Sequence, residues 1–160
     1  MELSLKSVSP ESIPKALRKA HQYRLLGEPS HSESICRDVL SADPENQQAL
    51  DILILALTDQ FGGELSERFN EAMSLRMRLA DTYRQAYLEG LILERRAMAL
   101  FRRGGTEVGS SVYRGIVKAM KAYQRAMEMS PRGDAIAILR WNTCVRIIDR
   151  YPSLKPEPLE

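Results

Sequence analysis

SESICRDVLSADPENQQALDILILAL, residues 32–57, contains two helical runs and one stop. Ile35, Cys36, Val39 and Leu40 fall on one side of a helix predicted over residues 32–42. Pro44 ends it, because the proline ring cannot continue the hydrogen-bond ladder. The second run, residues 45–60, is apolar over most of its circumference, which predicts burial between neighbours on both sides. Neither helix holds a pair of residues suited to chemistry. A hairpin with two apolar faces must stack on neighbours, and stacking yields a long surface rather than a closed pocket.

Outward from this hairpin the punctuation continues. Ser9-Pro10-Glu11-Ser12 reads as a helix start, followed by Ile13, Ala16, Leu17, Ala20, Tyr23 and Leu26 at helical spacing. Gly27 and Pro29 stop that helix. Gly62-Gly63 breaks the run after residue 60, and a fourth helix is predicted over residues 64–80. Asp81-Thr82 caps a fifth helix to residue 102, with a bend rather than a break at Asp81 left open. Residues 104–111 read as a loop, and helices are predicted over 112–129 and 134–150. The tail from residue 152 has three prolines and is expected to be extended. Sustained period-two alternation is missing, so the expected fold class is all-α with about seven helices.

A chain of 160 residues is read as one domain, here residues 1–151. Net charge is only +2, but its distribution is uneven. Residues 1–62 hold six Lys/Arg against nine Asp/Glu, and residues 68–125 hold twelve against five. Arg supplies 17 of the 23 cations, the residue suited to carboxylate and phosphate forks. Cys36 and Cys144 belong to no ligand-spaced cluster, which fits a reduced, cytoplasmic chain. MELSLKSVSPESIP has no apolar core of a signal peptide, and no apolar run approaches the ~20 residues of a membrane span.

Residues 13–46 form a 34-residue unit of helix, Gly turn, helix and Pro stop. The unit resembles a tetratricopeptide repeat. Ala20, Ser32 and Val39 stand at its close-contact places, Tyr23 at the aromatic place and Pro44 at the stop. Ala16 replaces the large aromatic of the first helix, and Lys19-Ala20 replaces the Leu-Gly pair. Further units are read over 47–81 and 82–133, the last repeating the pattern with Ala119, Tyr123, Ala126 and Pro131. Residues 134–150 would cap the stack, and ILRWNTC, residues 138–144, is similar to a stretch in uncharacterised bacterial proteins of this repeat type. The resemblance implies a right-handed superhelix with a concave groove for a peptide or partner helix. It places Leu17, His21 and Arg24 on that groove from the first unit, Gln48, Asp51 and Leu55 from the second, and Arg84, Tyr87, Leu91 and Arg95 from the third.

Other motifs carry little chemistry. GGTEVGSS has the outer glycine spacing of a phosphate loop, but Ser110 stands where Lys is required and a helix precedes it instead of a strand. His21 and His31 have no nucleophile and acid arranged around them, and with Cys36 and Cys144 they match no metal spacing. Arg84, Arg95, Arg96, Arg102, Arg103 and Arg114 could clamp carboxylates or phosphates, or form a solvated face. Aromatics do not interleave with them, which weighs against single-stranded nucleic acid. The expectation is a non-catalytic adaptor without cofactor or metal, binding a protein or peptide with acidic character. An Arg-rich anion- or RNA-binding domain and a self-associating repeat are the alternatives.

Overall fold

Proline and glycine set most helix ends in the computed structural model, which describes residues 1–105 and 108–156. Among the described residues seven helices follow one another: α1 (Ile13–Leu25), α2 (Pro29–Ala42), α3 (Gln47–Thr58), α4 (Leu65–Arg76), α5 (Thr82–Arg103), α6 (Val108–Met129) and α7 (Ile136–Arg150). Short 3-10 turns form at Pro10–Ser12 and Pro152–Leu154, and there is no strand among the described residues. None of these helices is long and apolar enough to cross a membrane.

Several ends differ from the sequence expectation for local reasons. Pro29 starts α2 instead of merely stopping α1, since the first helical position needs no backbone N–H. Asn46 caps α3 by accepting from the Ala49 N–H at 2.9 Å. α4 stops at Arg76, and Asp81 accepts from the N–H groups of Tyr83 and Arg84. The chain therefore breaks between α4 and α5, because the Asp81 carboxylate satisfies N–H groups that a continuous helix would already have paired. α6 begins at Val108, so residues 108–111 are helical where a loop was expected; Thr106 and Glu107 lie outside the described residues.

α3 is the spine. Eight of its twelve residues are buried, including Leu50, Leu53, Ile54 and Leu57, as its all-round apolar pattern predicts. Each such side chain removed from water contributes roughly 1.5–3 kcal/mol. Around it pack Leu17 and Ala20 from α1, Cys36 and Val39 from α2, Ala72 from α4 and Leu88 from α5. A second apolar cluster joins Ala97, Ile116, Tyr123 and Cys144 of α5, α6 and α7.

α5 and α6 make the longest hairpin, 22 residues each, and approach closely. Tyr123, fully buried, lies over Gly90, where any Cβ would overlap its ring. At Gly115 a Cβ would come within 2.9 Å of the Ala97 methyl. The tail corrects one expectation. Pro152–Leu154 turns back, and Leu154 is buried beside Val112 and Ile116, because an apolar side chain gains more there than in an extended tail.

Each helix packs on its neighbours in the chain, and α1, α3, α5 and α7 also touch in series. Of the even-numbered helices, α2 and α4 meet through the ion pairs Arg37–Glu71 and Arg68–Glu33 rather than through close backbone packing. This odd-numbered row carries the candidate site.

Candidate partner-binding face

At the end of α3, Asp59 joins two helices at once. Arg24 of α1 approaches it at 2.6 Å, and Arg95 of α5 donates to it from the other side. Arg95 also donates to the Thr58 hydroxyl at 2.6 Å, and that hydroxyl donates to the Leu55 carbonyl at 2.8 Å. Two turns toward the start of α3, Asp51 receives a two-pronged Arg84 fork, with one arm at 2.9 Å. The Arg84 guanidinium also lies 5.0 Å from the Tyr87 ring centre.

Of the residues expected on the groove, the fold thus brings Arg24 to Arg95 through Asp59, and Asp51 to Arg84 and Tyr87. His21 and Gln48 are exposed on α1 and α3, and Leu55 is half-buried against the core. Two expectations are corrected. Leu17 and Leu91 are each 3% exposed and lie inside the core, unavailable to a partner. Both sit on helix sides turned toward packed neighbours, where their burial contributes to folding.

The row ends in a feature the sequence reading missed. Glu94, 3% exposed, accepts from the Tyr123 hydroxyl at 2.7 Å and from the Arg140 fork of α7, with Nε at 3.2 Å. Burial, with the neighbouring Glu94 carboxylate, pushes the Tyr123 hydroxyl far above its ordinary value. The same carboxylate holds Arg140 firmly charged despite its partial burial. One signal was available: Glu94 is a lone carboxylate after the apolar run Leu91-Ile92-Leu93, and a buried acid requires donors.

Beside this knot, a cleft of about 310 Å³ opens between α3, α5 and α7. Thr58, Asp59, Arg95, Arg102 and Arg140 supply polar lining and Met98 an apolar patch. Arg102 makes no ion pair among the described residues, whereas Arg95 and Arg140 are held by carboxylates.

The polar groups of the cleft are engaged in hydrogen bonds and ion pairs. Asp59 and Glu94 are occupied by arginines, Thr58 has no base beside it, and no histidine lines the wall. Burial pushes both cysteine thiols up to about 12, so neither is a thiolate nucleophile near neutral pH. Among the described residues, no three of His, Cys, Asp and Glu gather closely enough to hold a metal ion.

Ion pairs also reveal a register. Arg37 to Glu71, Arg68 to Glu33, Arg84 to Asp51 and Arg95 to Asp59 join residues 34, 35, 33 and 36 positions apart. Opposite charges at that recurring separation are the sequence signal that could have located the bridges. No protein-family model, curated protein or solved structure matches the chain.

Proposed function

We propose that the chain is a non-catalytic protein–protein interaction module of tetratricopeptide-like stacking, whose odd-helix row receives an acidic segment of a partner. The ion-pair register is close to the 34-residue unit read over 13–46, as expected of successive hairpins laid one on the next. The observation that carries the binding assignment is the surplus of arginine on that row. Arg24, Arg84, Arg95, Arg102 and Arg140 face only Asp51, Asp59 and Glu94, and Arg102 opens on the cleft. A partner carboxylate would gain a charge-assisted fork there, with Met98 taking an apolar neighbour.

Arg102 is the residue to test, since Arg84 and Arg95 hold α5 to α3. A 15N-labelled chain titrated with a glutamate-rich peptide is expected to shift the amides of Met98, Arg102 and Arg140. Arg102→Glu should weaken that binding at least tenfold with an unchanged melting curve. Unchanged affinity in the folded variant would remove the assignment.

One observation favours self-association as a second reading. The outward side of α7 exposes Ile138 at 46% and Leu139 at 60%, with Val145 two turns on from Ile138. An end of a stack that keeps apolar side chains in water is suited to a second copy. Solution mass across a concentration series tests it, with Leu139→Glu expected to leave only monomer.

A further inference from the structure

On the opposite side of α5 a second cleft, about 220 Å³, runs between α5 and α6. Arg96, Ser111, Arg114 and Lys118 line it, and among the described residues no carboxylate does. Among the described residues Arg96, Arg114 and Lys118 make no ion pair, in contrast to four of the five arginines of the odd-numbered row. Glu89 of the same helix α5 is already taken by Arg76 at 3.1 Å and Arg125 at 2.8 Å.

The cleft is formed by the fold. Its floor stays low because Gly115 meets Ala97, and a side chain at 115 would force the helices apart. The Arg96 guanidinium lies 4.4 Å from the Phe69 ring centre, which fixes its plane and leaves its N–H edge to a ligand. Arg114 donates to the Ser111 hydroxyl at 3.3 Å, setting that fork beside a second donor. Lys118, one turn along α6, adds a point charge.

We propose that this cleft binds a phosphomonoester dianion. Three cations that make no ion pair among the described residues, together with a hydroxyl, match a tetrahedral group carrying about −1.5 to −2 charges and three acceptor oxygens. A planar carboxylate would be saturated by one arginine fork and leave two cations without an anion. The volume suits one phosphate group with a few attached atoms, and no ring in the lining is free to stack on a base. The phosphate can be borne by a protein or by a small organic molecule, and the test separates them. The inference is independent of the acidic-partner reading, which uses the other side of α5.

The 15N-labelled chain is titrated with inorganic phosphate, glycerol 3-phosphate, a phosphoserine peptide and a glutamate-rich peptide of equal length. The phosphate probes are expected to shift the amides of Arg96, Ser111, Arg114, Gly115 and Lys118. Arg114→Gln with Lys118→Gln should weaken them at least tenfold at an unchanged melting temperature. Arg96→Lys, which keeps the charge but loses the fork, should give an intermediate loss. A phosphoserine peptide at least tenfold tighter than glycerol 3-phosphate supports the site with a protein-borne source, and equal affinity supports it with a small-molecule source. Phosphate shifts centred on Arg102 and Arg140, undiminished affinity in the double variant, or equal binding of the glutamate-rich peptide at the same amides would overturn the proposal.

Discussion

Glu33 and Glu94 are both carboxylates held by arginine, in opposite surroundings. Glu33, in the first hairpin, meets Arg37 at 2.7 Å, Arg68 at 2.9 Å and the Gln60 amide at 2.7 Å, at a partly open junction of α2, α3 and α4. Glu94, in the long hairpin, is buried with Tyr123, and Arg140 reaches it from the cleft. The first arrangement resembles Asp51–Arg84 and Asp59–Arg95, which run along the row at about one unit's separation. Such half-open pairs align one hairpin on the next and add little stability each. At the buried Glu94 and Tyr123 little water can replace a missing partner, so this knot has the larger effect on whether α7 stays docked.

The largest effect is expected where the seal is deepest. Glu94→Gln removes the charge that Arg140 and Tyr123 are arranged around, and should cost about 3 kcal/mol in a denaturant melt, since breaking a buried pair leaves the partner uncompensated. Loss of under 1 kcal/mol would place Glu94 with the half-open pairs and erase the contrast.

Next comes the contact beneath the knot. Gly90→Ala would push its methyl into the Tyr123 ring, which cannot swing aside because its hydroxyl is fixed on Glu94. A loss of about 1–3 kcal/mol is expected. Gly90→Ala in the Tyr123→Phe background tests whether that anchor raises the cost, because the freed ring should make the loss smaller.

A half-open bridge should matter less. Asp51→Asn removes the charge that Arg84 grips, yet Arg84 keeps its Tyr87 stack and access to water. About 0.2–1 kcal/mol is expected, most of it lost in high salt.

The smallest effect is the acid response of the first region. Burial alone would raise Glu33, but bonds from Arg37, Gln60 and Arg68 outweigh it and hold its pKa below the ordinary 4.5. Its contribution is therefore present above the unfolded value and fades as pH falls through the lower folded value. Amide-exchange protection in α2 and α4 should decline over that window more than protection in α6, and Glu33→Gln should flatten the difference.

Much of this contrast was hidden in the sequence while the helices were not. Pro44, Gly62-Gly63 and Pro131 mark ends that the structure keeps, and the apolar circumference of α3 foretold its burial. Helix starts were less legible at Pro29 and at Val108, where a proline or a glycine-rich stretch was read as a stop or a loop. The row was harder. Leu17 and Leu91 share helix sides with Arg24 and Arg84 at the spacing of a groove, and only tertiary packing decides which members stay in solvent. The partners of each arginine lie more than 30 positions away, where helical periodicity says nothing.

The buried Leu154 orders events during synthesis. Residues 13–58 can close much of the first apolar cluster soon after α3 is made, because α1, α2 and α3 are contiguous. The second cluster waits, since Leu154 fills a place beside Val112 and Ile116, some forty residues behind it in the chain. Until residue 154 is available, the long hairpin keeps part of its apolar side in water. Domains that fold from their N-terminus expose such surfaces to chaperones and to one another. A leucine in a three-residue turn thus helps set how long that exposure lasts.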